Sequence, residues 1–105
     1  MENHLDSFLN RYKMFLLDQK GLSQETYRAY VGDIEDLLAF LDEQGISYPD
    51  RVAVRSYMMK LHTRYTRTTI NRKLSSIKGF FDFIMSQSDL DANPFSHVRS
   101  LKKHE

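Results

Sequence analysis

The spacing of the apolar residues constrains the fold of this chain more than any other feature of its sequence. Over most of the 105 residues, apolar side chains recur at intervals of three and four, and no alternation of apolar and polar residues persists anywhere. Intervals of three and four place side chains on one face of an α-helix, whereas a half-buried strand requires alternation. The sequence therefore predicts an all-α fold, a compact bundle of four to five helices.

Residues suited to helix ends separate the predicted helices. Gly21 and Gly45 follow the first and second apolar patterns, and glycine readily adopts the left-handed conformation that ends a helix. Ser23, Asp50 and Thr66 precede the second, third and fourth patterns, and their side-chain oxygens suit an N-cap. The core-facing residues predicted for the four helices are Leu5, Phe8, Leu9, Tyr12, Phe15 and Leu16; Tyr27, Tyr30, Val31, Ile34, Leu37, Leu38 and Leu41; Val54, Tyr57, Met58 and Leu61; and Ile70, Leu74, Ile77, Phe80, Phe81 and Ile84.

The length and composition indicate one small globular domain. Hydrophobic residues make up 41% of the chain and aromatic residues 12%, which is typical of a packed core. Asn93-Pro94 breaks the chain after the fourth helix, Phe95 to Leu101 is predicted to form a short last turn, and residues 102–105 look like a frayed end or the start of a linker.

Several classes of protein are disfavoured by the same sequence. The chain has no cysteine, so it contains neither a disulfide nor a thiolate metal site. Its acidic N-terminal residues and the lack of a long apolar run predict neither a signal peptide nor a membrane anchor. The sequence therefore predicts a soluble, cytoplasmic protein.

The charges are strongly segregated along the chain. Residues 51–81 contain no acidic residue and carry eight cations, whereas residues 1–50 contain ten acidic and four basic residues. The net charge of +1 thus conceals a basic segment, and such a segment can hold a polyanion. The eight cations are Arg51, Arg55, Lys60, Arg64, Arg67, Arg72, Lys73 and Lys78.

On a helical wheel, the second and fourth helices both present cations beside small side chains opposite their apolar faces. Small residues let a helix approach a groove closely, hydroxyl groups donate to phosphates, and arginine reaches phosphates or guanine edges. The threonines that begin the fourth helix also lie at the positive end of its dipole. The alternative is an ordinary solvated surface, on which charged and small residues are common. The outer residues are Arg28, Ala29 and Gly32 on the second helix, and Thr68, Arg72, Ser75 and Gly79 on the fourth, with Asn71 at its edge and Arg67 and Lys78 on one flank.

No other chemistry has a comparable signal. The four histidines show no metal-ligand spacing, and no glycine-rich phosphate loop, nucleophile elbow or paired carboxylates occur. We therefore expect neither a metal nor a cofactor. The aromatic cluster at Phe80, Phe81 and Phe83 can stack on bases, but its spacing favours a core position for Phe80 and Phe81, with Phe83 meeting a neighbouring helix or another protomer.

Three motifs together resemble the N-terminal core-binding domain of tyrosine recombinases, the family of phage integrases and Xer-type enzymes. The first motif runs from Gly21-Leu22-Ser23 through Thr26, Tyr30 and Asp33-Ile34 to Phe40-Leu41. The second motif begins at Thr66, continues through Thr69-Ile70-Asn71-Arg72-Lys73-Leu74-Ser75-Ser76-Ile77-Lys78 and ends at Phe83. The third motif is Asn93-Pro94-Phe95. The resemblance spans essentially the whole chain. It implies a SAM-like helical domain at residues 1–101, followed from residue 102 by the linker to a catalytic domain.

The resemblance also implies how the domain acts. In the family, the second and fourth helices of this domain face the major groove, and the two domains clamp the duplex. Double-stranded DNA and other recombinase protomers in a synaptic complex are then the expected partners, and the isolated fragment is expected to be a monomer. The residues predicted to bind DNA, from the wheel and the resemblance together, are Thr26, Arg28, Ala29, Gly32, Arg64, Thr66, Arg67, Thr68, Thr69, Asn71, Arg72, Ser75 and Lys78.

The catalytic residues of such a recombinase are not found in this sequence. The family cleaves DNA with a tyrosine that is assisted by arginines, a lysine and a His-x-x-Arg motif. Three residues after His4, His62 and His97 come a serine, a tyrosine and a serine, so that motif is absent. We therefore expect no enzymatic activity from this fragment and place strand cleavage in another domain of a longer protein.

Two other functions stay open at this point. One is a helical protein-interaction module that binds an acidic partner through the basic segment. The other is a helix-turn-helix transcriptional regulator. The connection at 63–65 lacks the glycine usual in that motif, and the second helix shares the basic face, which argues against this alternative.

Overall fold

A computed structural model describes residues 4–19 and 21–101, and it has four α-helices within those ranges. They are α1 (His4–Leu17), α2 (Gln24–Glu43), α3 (Arg51–Arg64) and α4 (Arg67–Gln87). The described residues contain no strand, and the all-α prediction is confirmed. Residues 94–97 form a turn, so the described chain has no fifth helix after α4. The predicted linker at 102–105 lies outside the described residues.

The predicted helix caps are confirmed. The side-chain oxygens of Ser23, Asp50 and Thr66 each accept a hydrogen bond from the backbone N–H three residues later, at 3.0, 2.8 and 3.3 Å. Each bond satisfies one of the N–H groups that a helix start leaves without a partner. Gly21 and Gly45 have φ angles of +80° and +69°, the left-handed conformation expected of them.

The core forms where the apolar faces of the four helices meet, and most of the predicted residues lie in it. All six predicted core residues of α4 are buried, including Phe80 and Phe81. Phe95 is fully buried after α4, where its ring stacks on Phe81 with centroids 5.7 Å apart. This aromatic contact helps to join the segment after α4 to the core, against which Val98 and Leu101 also pack.

One predicted core position is wrong, and one outer position is partly covered. Phe15 is 44% exposed, because it lies at the edge of α1 with its ring 5.1 Å from that of Phe83. Phe83 therefore meets a neighbouring helix, as expected. Gly79 lies against α1, since a Cβ atom built on it would be 3.1 Å from the Tyr12 hydroxyl. Its small size serves helix packing, and the wheel missed this because it shows one helix at a time.

Helices α2 and α4 pack side by side in opposite directions. The side chain of Asp33, in the middle of α2, bonds to Arg72 and Ser76 of α4. Phe40 and Glu43, near the end of α2, line a cleft with Tyr65, which lies two residues before the start of α4. This arrangement brings the outer faces of the two helices next to each other. None of the described helices is long and apolar enough to cross a membrane.

Candidate nucleic-acid interface

A buried carboxylate joins the two helices that the sequence predicts to bind DNA. Asp33 is 1% exposed and accepts hydrogen bonds from Nε and Nη2 of Arg72, at 3.1 and 2.7 Å. Its oxygens also accept a bond from the Ser76 hydroxyl, at 2.8 Å. The bond to Asp33 raises the pKa of the Arg72 guanidinium above its ordinary value. Two hydrogen bonds from one guanidinium group to one carboxylate fix both the distance and the angle between the two helices.

Lys73 is a second cation held by the same carboxylate. Its side chain is 4% exposed, and Nζ donates to Asp33 at 3.2 Å and to Asp36 at 2.9 Å. The ammonium group also lies 4.8 Å from the centre of the Tyr65 ring, within the range of a cation–π contact. Burial lowers the pKa of Lys73, but the bonds to Asp36 and Asp33 outweigh that effect and leave the pKa raised.

We call Asp33, Asp36, Arg72, Lys73 and Ser76 the Asp33 cluster. It contains two carboxylates and two cations, so its formal charge is zero. The acid-free segment therefore has acidic partners in space, because α2 supplies them from 37 to 40 residues away. Arg72 and Lys73 of that segment are thus paired with carboxylates inside the domain, so a charge count along the sequence overstates the field at the surface.

The other predicted cations are not buried. Arg28 of α2, Arg64 at the end of α3 and Arg67 at the start of α4 are exposed, while Lys78 is half-buried. Long cationic side chains at the surface can contact phosphate oxygens and release their counterions.

The small residues of the predicted interface differ in their surroundings. A Cβ atom built on Gly32 would have no neighbour within 4 Å, so this part of α2 faces open space. Ala29 is half-buried and Ser75 is exposed. Gly32 and Ala29 lie beside Asp33 and one turn before it, so they are next to the point where Arg72 reaches α2.

The threonines of the predicted interface lie at helix starts. Thr66 and Thr69 share a side-chain hydrogen bond of 3.2 Å in addition to the cap, and Thr26 likewise accepts a bond of 2.8 Å from Ser23. Thr68 is exposed. The structure gives Thr26, Thr66 and Thr69 a role in capping, and their predicted DNA contacts stay a prediction.

Asn71 has a partner that the sequence did not suggest. Its Nδ2 donates to the carbonyl oxygen of Leu101 at 3.0 Å, and its Oδ1 accepts from the Leu101 N–H at 2.7 Å. Contact of Asn71 with DNA stays a prediction, but both ends of its amide are engaged within the domain.

Sequence reasoning missed the buried polar residues of the two helices. Lys73 lies three residues after Ile70 and four before Ile77, so the helical wheel already placed it in the apolar face. Asp33 is placed in the same way beside Tyr30 and Leu37. A lysine in the apolar face of one helix and an aspartate in the apolar face of the other could have indicated an ion pair between the two helices. No group of three metal-ligating side chains suited to a metal ion occurs among residues 4–19 and 21–101.

Comparisons with known proteins give one consistent family. The model of the phage integrase N-terminal SAM-like domain matches residues 9–88. A tyrosine recombinase of Pseudothermotoga lettingae is 33% identical over 103 residues, which cover 93% of this chain and 36% of that protein. The tyrosine recombinase XerC of Listeria welshimeri is 36% identical over 99 residues, which cover 90% of this chain and 32% of that protein. The chain thus spans about a third of the length of these curated relatives. No solved structure matches it.

Proposed function

The chain belongs to the family of phage integrase N-terminal SAM-like domains, and from that premise we propose that it is the DNA-binding domain of a site-specific tyrosine recombinase. In this role it clamps one half of a recombination site through α2 and α4. Strand cleavage belongs to a separate catalytic domain, and further protomers of the recombinase assemble on the same DNA. The similarity to a tyrosine recombinase and to a tyrosine recombinase XerC supports this assignment.

The contact between Arg72 and Asp33 is the observation that carries the proposal. It holds the outer face of α4 beside the outer face of α2, at the open position of Gly32. Two helices that are locked together and present small residues and cations on one side make a surface that fits the groove and backbone of a duplex. A general acidic protein partner needs the charge but not the small residues.

The cations of this surface have different roles. Arg28, Arg64, Arg67 and Lys78 neutralise phosphates, because long exposed or half-buried cations contribute charge without a fixed geometry. Arg72 is 44% exposed, and two of its five N–H donors bind Asp33. Three donors are left for a phosphate or a base edge, and the bond to Asp33 fixes the direction in which the guanidinium extends.

Titration of the ¹⁵N-labelled chain with a short duplex at low salt tests the proposal. We expect amide shifts concentrated in the outer residues of α2 and in α4, including Gly32, Thr68 and Ser75. Amides on the outer side of α3, such as Val52, serve as the internal control because that side belongs to another face. A titration in which α2 and α4 do not shift would contradict the proposal, and a tight palindromic site bound by a dimer would favour a transcriptional regulator.

Arg72→Ala tests whether the guanidinium reads a base. We expect a loss of about 1–3 kcal/mol in binding to the preferred sequence if Arg72 contacts a base edge, and less if it holds a phosphate. Ser76→Ala is the matched control, because it removes a bond to the same Asp33 from a residue that is 2% exposed. Equal weakening of Arg72→Ala on all sequences would contradict base reading.

A further inference from the structure

The segment after α4 returns along that helix and is held at both ends by asparagine side chains. At its start, Asn93 donates through Nδ2 to the Lys78 carbonyl oxygen at 2.9 Å and to the Asp82 carboxylate at 3.0 Å. At its end, Asn71 exchanges two hydrogen bonds with the backbone of Leu101. We call residues 93–101 the strap, since they link the second half of α4 to its first half.

The strap is anchored more firmly at its start than at its end. Asn93 is 7% exposed, and its Oδ1 also accepts the Phe95 N–H at 2.9 Å. Phe95 is buried in the core, whereas Val98 and Leu101 are only partly buried. The two Asn71 bonds are therefore the main polar attachment of the last described residue of the strap.

The clamp by Asn71 holds Leu101 beside the beginning of α4. Leu101 lines a cleft of about 490 Å³ together with Thr66, Arg67 and Ile70 at the beginning of α4. That end of α4 carries Thr68 and Arg67, which we place on the DNA. The last described residue of the strap therefore lies beside the beginning of α4.

We propose that Asn71 is a positioning residue, which clamps Leu101 so that the chain leaves the domain beside the DNA-facing end of α4 and the next domain reaches the same duplex. This role rests on the proposed function, because it concerns the tether between two DNA-binding domains. Val98 still packs against the core and its N–H still bonds to the Phe95 carbonyl oxygen, so without the clamp about three residues after Val98 become free, and a chain of that length reaches roughly 10 Å. A looser tether lowers the effective concentration of the second domain at its site.

Hydrogen exchange at the Leu101 amide tests the clamp in this chain. We expect this amide to be protected, and we expect Asn71→Ala to speed its exchange about 10-fold or more, since two hydrogen bonds are lost. Exchange at core positions of α4 such as Ile77 shows whether the variant stays folded. Arg28→Ala is the matched control, because it changes the proposed DNA surface and leaves the strap intact.

A spin label tests the direction of the exit. The chain has no cysteine, so Lys103→Cys gives a single labelling site. We expect the label to broaden amides at the start of α4, around Thr68, and we expect Asn71→Ala to weaken and spread that broadening. Leu101→Pro removes the N–H partner without changing α4, so it should have a similar effect if Asn71→Ala fails to fold.

DNA titration separates this inference from the proposed function. We expect Leu101→Pro, which removes a bond of the clamp at a residue that is not predicted to bind DNA, to bind a short duplex as the unmodified chain does, while Arg28→Ala binds it more weakly. A loss of affinity in Leu101→Pro as large as in Arg28→Ala would overturn the inference, because the clamped segment would then be part of the DNA surface. Exchange or broadening that Asn71→Ala leaves unchanged would also overturn it. Failure of every variant, and of the unmodified chain, to bind DNA would overturn the proposed function.

Discussion

The second turn of α4 and its first turn carry the same kind of charge in different surroundings. In the second turn, Arg72 and Lys73 are bound to carboxylates of α2, and Lys73 is buried. In the first turn, Arg67 is exposed beside the exposed Thr68. The difference teaches that a run of cations in a sequence can hold the scaffold together at one point and stay at the surface a turn away.

The two regions depend on each other. A buried ion pair adds little net stability, because desolvation of the charges offsets most of their attraction, but it strongly disfavours arrangements that leave one charge without a partner. The Asp33 cluster therefore specifies how α2 and α4 lie together. Arg28 and Arg67 can address one duplex only if that arrangement is kept.

The largest effect is expected from removing the centre of the buried region. Asp33→Ala takes the shared partner from Arg72, Lys73 and Ser76, and leaves Lys73 buried with one carboxylate. We expect a loss of about 3–5 kcal/mol in the free energy of unfolding, measured by urea denaturation.

Asp36→Ala is the matched control for that change. The side chain of Asp36 is 59% exposed and contacts Lys73 alone in the cluster, so we expect a loss below about 1 kcal/mol. Equal losses in the two variants would show that burial of the carboxylate does not distinguish the two positions.

Alkaline pH is expected to lower the free energy of unfolding by a smaller amount, through buried groups whose pKa is raised. Burial, followed by the nearby Tyr30 and Asp82, raises the pKa of Tyr12 to about 12 from its ordinary value of 10. The unfolded chain thus releases this proton at a lower pH than the folded chain. The contribution of Tyr12 to the free energy of unfolding is therefore complete below pH 10 and is lost as pH rises to about 12. The pKa of Lys73 is also raised, so its contribution to the free energy of unfolding likewise falls as the pH rises above 10.5, the ordinary value for lysine.

Tyr12→Phe isolates the tyrosine contribution. We expect the fall in the free energy of unfolding between pH 9.5 and about 12 to shrink by about 1–2 kcal/mol in this variant. A fall of unchanged size would mean that the Tyr12 hydroxyl titrates alike in the folded and unfolded chain.

Two helical glycines give the smallest stability effect and compare an open position with a packed one. Gly32→Ala places a methyl group in open space, so we expect a gain of about 1 kcal/mol in stability from helix propensity. Gly79→Ala places its Cβ atom 3.1 Å from the hydroxyl of the buried Tyr12, so we expect no gain. If α2 enters the groove, Gly32→Ala also weakens duplex binding although it stabilises the fold. A stable Gly32→Ala variant with unchanged affinity would remove Gly32 from the interface.

The helices and their ends could be predicted from the sequence because they depend on local chemistry. Apolar intervals of three and four, the caps at Ser23, Asp50 and Thr66, and the glycines after α1 and α2 are all read within a few residues. The family could also be recognised from three motifs in order, and the comparisons confirm it.

The use of individual polar residues could not be predicted in the same way. The partners of Arg72 and Lys73 lie 37 to 40 residues away, and the partner of Asn71 lies 30 residues away. A helical wheel gives the direction of a side chain but not the element that meets it. For this reason the wheel gives Asn71 no partner within the domain, and it assigns Gly79 to the outer face although α1 lies against it.

The salt dependence of DNA binding tests most directly the claim that the cations of this domain fall into a scaffold class and a DNA class. With four phosphates neutralised, a plot of log K against log salt has a slope of about −4. We predict that Arg28→Ala changes that slope to about −3, and that Lys73→Met leaves it unchanged in a variant shown to be folded by circular dichroism. An equal reduction in both variants would contradict the account, because the buried Lys73 would then contribute to the DNA surface as an exposed cation does.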